Sequence, residues 1–563
     1  AVTFTVAAAS ELRQRVREAL EQRRLELTAE GDRDRAIRIV DSIESLDSAF
    51  IGTIHGFAQS LLTERPIEAG LPPVFEVSDQ VQSEQDFERA WSKWLDIVLQ
   101  GEDFKTAVIN LQMLGLHDPL KKLYDLALEF RNDYDLIESA VPLKSGEGVI
   151  NLVDHLNSIQ SDLNQSMAYA EYCDVPEDSM FCYLNEKIAP LAHIVSNALE
   201  SKSLSEHIIA IAQIPKKKFG TTGSVDNWLE NAAGDKVLPE IRKLLNDVRA
   251  NAEAAREIVA QQALVVIATK VAEMVLKFSD SQRESGVVGF QDLLVLSCRM
   301  LEESPEAKSD FQRRYTRILI DEFQDTDPLQ LKLAMLLAST SEGEAPDPGR
   351  LFVVGDPKQS IYRFRRADLT QLSALVDSMK SNRKSLRHNF RSHKDILHWV
   401  NQIFEPWFNT WPQDSSYPVQ ADYESLGLGS SEYVDAEQPR VIVTGDGTYR
   451  NVAQAREAEA KEIAKLAVSV GSGVWNVTQR SRTSRHSTYR DLAVLFPRRT
   501  AVLPYLEREF AALGVPYILE GQTDVFESQA IRDLTNCLAA IDDPTDQVAI
   551  VASFKSVVWG FSD

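Results

Sequence analysis

Two short apolar runs, each stopping at acidic residues, constrain this chain more than any other feature. Ile318, Leu319 and Ile320 lead into Asp321 and Glu322, and Leu351 to Val354 lead into Gly355 and Asp356. Between them, after FQDTDP, Leu329, Leu333 and Leu337 fall on one helical face. Strand, helix, strand at this length predicts a parallel pair joined by a right-handed crossover. Ligands of such sheets sit beyond the carboxyl ends of the strands, where Asp321, Glu322 and Asp356 would emerge. Two adjacent acids there can divide the labour. One carboxylate holds a hydrated divalent ion, while the next, directed elsewhere because strand side chains alternate, positions and deprotonates an attacking water. Taken alone, the pair serves equally well to begin a turn and cap the helix after Pro328.

Upstream, Val2 to Thr5 reads as the end of a buried strand. Thr5 is a plausible N-cap for a helix with Leu12, Val16 and Leu20 at i, i+4 spacing. IGTIHGFAQSLL, from Ile51, places a Thr, a His and a Phe before another apolar helix. From about Thr63 to about Ser285 the pattern is mostly helical, with amphipathic stretches such as Glu84 to Leu99 and Asn251 to Phe278. Turn-rich breaks fall at Val141 to Gly148 and around Ile214 to Ser224, with no fixed-period repeat. Lys216 to Lys218 beside Phe219 could touch a phosphate backbone or form a solvated loop, and the loop is favoured.

Composition narrows the class. At 563 residues the expectation is about three or four domains. With 60 Lys and Arg against 84 Asp and Glu the net charge is -24, so the average surface repels nucleic acid and anionic lipid, and any polyanion site must be local. Arg363, Arg365, Arg366, Arg383, Lys384, Arg387 and Arg391 supply such a local concentration of positive charge. A second basic segment, QRSRTSRHSTYR from Gln479, reads as a surface loop before a strand over Leu492 to Phe496. The four cysteines form no C-x-x-C pair, which argues against a disulfide scaffold, a zinc site or an iron–sulfur cluster and favours a reducing, cytoplasmic location. The longest uninterrupted apolar stretch, Ala263 to Ala268, is far short of a membrane span, so no membrane partner is expected. The first residues carry neither Met nor a signal-peptide pattern, as expected of a chain that starts inside a larger protein.

ILIDEFQDTDPLQ, LFVVGDPKQSIYRFRRAD and LRHNFRSHKDI, in that order and spacing, resemble motifs II, III and IV of the UvrD-like superfamily 1A helicases. VTFTVAAASELRQRV resembles motif Ia, GTIHGFAQSLL the single-strand-binding motif that follows it, and GFQDLL the signature before motif II. DLAVLFPRRTAVLPYLEREFAALGVPYILEG, then VFESQAIRDL, resembles the approach to the 2B insertion. The long helical insertion is similar to the RecB or AddA branch rather than to the compact members.

The resemblance implies an α/β fold: RecA-like P-loop NTPase lobes with parallel sheets and a large inserted all-helical domain. Its expected layout is 1–62 for the first part of lobe 1A, 63–285 for the helical insertion 1B, 286–384 for the rest of 1A, 385–525 for a partial second lobe 2A, and 526–563 for the start of 2B. It implies ATP and Mg²⁺ as cofactors. Asp321 would coordinate the Mg²⁺, Glu322 would act as general base, Gln359 would sense the γ-phosphate, and Arg391 would reach it as an arginine finger. DNA contacts would fall on Thr3, Phe4, Thr5, His55, Phe57, Tyr362, Phe364 and Arg365. Such aromatic and cationic residues suit a sequence-tolerant single-strand site, since ring faces stack on bases and cations grip phosphates. For Tyr362, Phe364 and above all Phe57, core packing is the competing use. Phe364 stands where many relatives carry Trp.

The implied function is ATP-dependent 3′ to 5′ translocation and unwinding of DNA in repair or recombination. The implied partners are single-stranded DNA, duplex ends and a second helicase-nuclease subunit; the polarity comes from the resemblance alone. Over these residues there is no G-x-x-x-x-G-K-[ST] run, and the sequence reaches SVVWGFSD before anything resembling motifs V or VI. The expectation is therefore that the chain alone hydrolyses ATP poorly, and that the second lobe, without its later strands, presents an open sheet edge and apolar surface. Two alternatives stay open. One is a non-catalytic helicase-like subunit that binds DNA or a partner. The other is a metal-dependent nuclease, for which these residues offer no candidate site.

Overall fold

The computed structural model describes the chain except residues 141–150, 202, 218–221, 231–233, 341–344, 364–365, 368, 380–381, 411–419, 430–440, 444–446, 479–483, 497, 520–528 and 562–563. The Val141 to Gly148 break, Lys218 and Phe219, Phe364 and Arg365, and Arg480 and Arg482 thus lie outside the described residues. The chain divides into two units, Ala1–Arg383 and Lys384–Asp563.

Among the described residues of the first unit six short strands follow in chain order: β1 (Val2–Thr3), β2 (Gly52–Thr53), β3 (Glu76–Val77), β4 (Val287–Val288), β5 (Ile318–Ile320) and β6 (Leu351–Val353). Four of them form a parallel sheet in the order β2-β1-β5-β6. Ile318 pairs with Leu351 and Ile320 with Val353, as strand, helix, strand predicts. Ile318 and Ile320 enter the core while Leu319, between them, is exposed, the period-two consequence of a pleated strand.

Local chemistry sets the strand ends. The Thr5 hydroxyl accepts from the Ala8 amide at 3.1 Å, starting helix Val6–Glu30 soon after β1 ends. Thr53 does the same for Gly56 at 3.2 Å, starting helix Ile54–Glu64. Asp327 accepts from Gln330 at 2.8 Å, with Pro328 at the first helical position of Pro328–Ala338. The core beneath the sheet joins Leu61, Leu62, Leu333 and Leu337 to Ile318 and Ile320. Each such side chain contributes about 1.5–3 kcal/mol on burial.

Between β3 and β4 the named elements are helices, from Gln80–Val98 to the 48-residue Val237–Glu284. β3 and β4 pair in parallel, Glu76 with Val287 and Val77 with Val288, so the chain leaves and re-enters beside itself. The long helix holds two clusters together. Leu238, Leu245, Val248 and Val259 pack with Leu156, Ile159 and Ile208, whereas Ala263, Ile267 and Val271 pack with Phe87, Trp91 and Phe104. Arg256 is buried within it, and its guanidinium donates to the carbonyls of Ile211, at 2.7 Å, and Ile214, closing the end of helix Leu204–Gln213. Contrary to the reading from uninterrupted apolar runs, this helix is long and apolar enough to cross a membrane, with a mean hydropathy of 1.5 over its most apolar stretch. About a third of that stretch is buried, and the helix's buried positions, running from Val237 to Val275, pack into the two clusters it joins.

The second unit pairs β7 (His388–Asn389) in parallel with β8 (Gly427–Leu428), and β9 (Asn476–Thr478) with β10 (Ser484–His486) in antiparallel fashion. Helices Val452–Gly471 and Arg499–Leu513 pack through Ala460, Ala464, Ala467, Leu506 and Phe510. The strand expected over Leu492 to Phe496 is not formed. Leu492, Val494 and Phe496 pack against that core while Leu495 is 93% exposed, so the alternation is present but no neighbouring strand completes a ladder among the described residues. The basic segment from Gln479 instead contributes β10, where Arg485 grips Asp491 through two bonds of 2.6 and 2.7 Å. All four cysteines are free, and burial pushes the Cys298 thiol up to about 12.

Candidate functional site

A cleft of about 1030 Å³ opens beyond the carboxyl ends of β1, β2 and β5, lined by Thr3, Phe4, His55, Asp321, Glu322 and Tyr362 among others. Its floor is the acidic pair. Just past β5 the Asp321 amide still donates to the Val2 carbonyl of β1 at 3.1 Å, and Asp321 Oδ1 accepts from the Glu322 amide at 3.0 Å. Glu322 adopts a left-handed backbone, φ 52° and ψ 44°, before the short helical turn Phe323–Asp325. The Asp321 carboxylate thus bonds to the backbone of the turn, and Glu322 stands at the turn's left-handed position.

Gln324, which sequence reasoning passed over, ties the pair to the segment after β6. It is 3% exposed, and its Nε2 donates to Glu322 Oε2 at 2.7 Å. Its Oε1 accepts from the Asp356 amide at 3.0 Å, and its carbonyl accepts from the Ser360 hydroxyl at 3.1 Å. Gly355 makes this approach possible, since a Cβ there would lie 2.7 Å from Gln324 Oε1. Gln359 donates through Nε2 to Asp356 Oδ2 at 3.0 Å, and Lys358 Nζ lies 2.9 Å from Asp356 Oδ1. Burial opposes ionisation of Asp356, but the bonds from Lys358 and Gln359 outweigh it and hold its pKa below the ordinary carboxylate value. Asp356 is thus committed to Lys358 and Gln359, leaving Asp321 and Glu322 as the exposed acids of the cleft floor.

Two aromatic pairs flank the cleft. Phe4, 40% exposed, lies 5.1 Å from Tyr362 between ring centres. His55 stacks on Phe290 at 3.7 Å and 19°. Phe290, the first helical residue of GFQDLL, is 61% exposed, an apolar ring held at the cleft with no core to fill. Its exposure is a tertiary fact, although its place after a glycine N-cap was visible. Burial lowers the His55 pKa to about 4, so the ring is neutral at pH 7.

The remaining expected residues divide. Thr3 is buried at the cleft wall and donates its hydroxyl to the Thr5 carbonyl at 2.9 Å. The Thr5 hydroxyl is taken up as the helix cap. Phe57 is placed in the core, 6% exposed, between Phe50 at 5.1 Å and Tyr315 at 5.0 Å, so its competing use as packing prevails. Phe364 and Arg365 lie outside the described residues. In the second unit Arg391 follows β7 in a turn fixed by Asn389, whose Oδ1 accepts from the amides of Arg391 and Ser392, both at 2.8 Å. Among the charged residues of the described lining there are nine Asp and Glu and two Arg. One of those two, Arg366, is engaged by Asp133 and Asp135.

The donor set can be tested for a divalent ion. Among the described residues no group of three or more His, Cys, Asp and Glu is placed to hold a metal. An exposed Asp321 at the end of a strand fits an ion that keeps several waters and takes further oxygens from phosphates, the manner of Mg²⁺ and not of a protein-caged metal.

The described residues thus build a parallel sheet with an acidic pair at one strand end, tied to the segment after a second strand and facing a cleft flanked by aromatic rings. Residues 1–380 match the UvrD/REP helicase N-terminal domain and residues 385–562 the UvrD-like helicase C-terminal domain, and the chain belongs to this helicase family. Within the family it is similar to bacterial proteins named as ATP-dependent helicase/nuclease subunits. It is 23% identical to that of Listeria monocytogenes serotype 4a (strain HCC23) over 611 residues, 24% to that of Ligilactobacillus salivarius (strain UCC118) over 623, and 26% to that of Bacillus cytotoxicus over 637. Each alignment covers 100% of this chain and 48% of the relative, so the chain spans about half the length of the curated relatives it matches.

Proposed function

We propose that this chain is the motor portion of an ATP-dependent DNA helicase of the helicase/nuclease type, moving 3′ to 5′ on single-stranded DNA in repair or recombination. The observation that carries this reading is the Gln324 bridge, which joins the Glu322 carboxylate to the segment bearing Gln359. A residue that reports the γ-phosphate and one that activates water need such a mechanical link if hydrolysis is to follow nucleotide state.

In this reading Asp321 would hold Mg²⁺, which supplies charge neutralisation to the phosphates when bound. Glu322 accepts the proton of the hydrolytic water, with Gln324 Nε2 orienting its Oε2. Gln359 senses the γ-phosphate, and Arg391 acts as the arginine finger. Phe4, Tyr362, His55 and Phe290 offer ring faces to successive bases, with Thr3, Phe364 and Arg365 completing the strand site. A neutral His55 suits stacking better than phosphate binding. The helices between β3 and β4 form an inserted domain, and a second helicase-nuclease subunit is a partner. Because these 563 residues carry no phosphate-cradling lysine loop, a polypeptide of these residues alone turns over ATP slowly.

Strand displacement by the full-length protein tests the reading. ATP-dependent unwinding of a duplex with a 3′ single-stranded tail, and not of one with a 5′ tail, is the expected result. Unwinding without ATP, or from the 5′ tail only, would refute it.

A further inference from the structure

Four residues after Tyr362, the Arg366 side chain reaches acids of another cleft-lining segment. Arg366 has a left-handed backbone, φ 65°, a conformation an arginine adopts only when its surroundings hold it there. Its guanidinium is spent on that segment. Nε donates to Asp133 Oδ1 at 2.6 Å, Nη1 to Asp135 Oδ2 at 3.1 Å and Nη2 to Asp135 Oδ1 at 2.9 Å. Nη2 also reaches the Asn132 carbonyl at 3.3 Å. Asp135 is 12% exposed, so this fork is shielded in a way that ordinary surface pairs are not.

The far end of the tie is equally fixed. Between the two acids Tyr134 is 8% exposed, and burial first and the neighbouring Asp292 second hold its hydroxyl above the ordinary tyrosine pKa. Asp292 also accepts the Gly289 amide at 2.8 Å, the N-cap immediately before Phe290. On the near side the Ala367 amide donates to the Tyr362 carbonyl at 3.3 Å. The path from Tyr362 through Arg366, Asp133, Asp135, Tyr134 and Asp292 therefore ends at Phe290, linking the two aromatic pairs that flank the cleft.

Resting on the reading of this cleft as a single-strand site, we propose that Arg366 is a positioning residue for the strand. By gripping Asp133 and Asp135 it fixes the spacing of the Phe4–Tyr362 and His55–Phe290 pairs, and it makes no phosphate contact of its own.

Anisotropy titration of fluorescent oligo-dT with the whole chain separates the possibilities, with 2-aminopurine quenching in the same oligonucleotide reporting base stacking. Arg366→Gly suits the local backbone and removes the tie, and it should weaken binding about tenfold and reduce the quenching. Asp133→Asn with Asp135→Asn removes negative charge from an acidic cleft, yet it should also weaken binding by a similar factor. The triple variant should be no worse than Arg366→Gly alone. Thermal melting of each variant checks that it is folded, and Arg366→Lys provides a second, milder variant with an intermediate loss. Tighter binding by the double Asn variant would mean that the freed Arg366 contacts phosphate, and would overturn the proposal. So would unchanged binding and quenching in folded Arg366→Gly, which leaves the strand-site reading intact. Failure of the unsubstituted chain to bind oligo-dT at all would contradict that reading and this inference with it.

Discussion

Glu322 stands in a backbone conformation that disfavours any side chain, at a cost on the order of 1–3 kcal/mol, and the Gln324 bond holds its carboxylate in one direction. Retaining that strain is what a group needs if it must meet a water at a fixed angle. Removing the Gln324 amide while keeping the glutamate, as in Gln324→Leu, should lower kcat of the full-length protein about tenfold or more with little change in KM for ATP. Steady-state kinetics check this. His55 gives a second expectation at this scale. Its folded pKa of about 4 lies below the ordinary 6.5, so the unfolded chain binds the proton first as pH falls. The neutral ring's contribution is whole above pH 6.5 and is lost as pH drops towards 4, by at most about 3 kcal/mol. Thermal midpoints of His55→Phe should fall less steeply across that window than those of the parent. The place of both acids at a strand end and the Thr5 cap were legible in the sequence because they depend on neighbours within a few residues. Gln324 and Phe290 were not, because the one meets Asp356 across 32 residues and the other's exposure depends on what the fold leaves beside it.

At the scale of elements, the parallel sheet was readable from apolar runs with acidic ends, since strand, helix and strand at that spacing have few other solutions. The β3–β4 pair was not readable: two residues on each side of a helical segment more than two hundred residues long give no periodicity to detect. Leu492 to Phe496 marks the converse limit, because alternation specifies which faces are buried but not whether a partner strand exists. Two substitutions probe the elements directly. Gly355→Ala would press a methyl against Gln324 Oε1, 2.7 Å away, and against the Phe323 and Gln324 amides, costing about 1–3 kcal/mol and loosening the bridge. Chemical denaturation should register the loss together with reduced turnover. Leu245→Ala, in the fully buried stripe of helix Val237–Glu284, should cost about 2–5 kcal/mol by the same measurement while leaving oligo-dT affinity unchanged, because its contacts lie in the cluster remote from the sheet.

For the molecule as a whole, a net charge of -24 and a cleft whose charged lining is mostly acidic would set the terms of the proposed DNA binding. Binding there should depend on ring stacking more than on counterion release, so oligo-dT affinity should fall only gently with salt, and Tyr362→Ala should cost about 1–3 kcal/mol. At one position of the arginine-rich stretch linear proximity was not informative, since Arg366 is already held by acids more than two hundred positions away. The family was legible because its motifs are local strings. The charge of the cleft was not, because it is assembled from segments distant in the chain. The most direct test is single-strand-stimulated ATP hydrolysis by the full-length protein bearing Glu322→Gln. Turnover should drop by about 10²-fold or more with oligo-dT affinity retained, and turnover close to that of the parent would contradict the assignment of the water-activating role to this site.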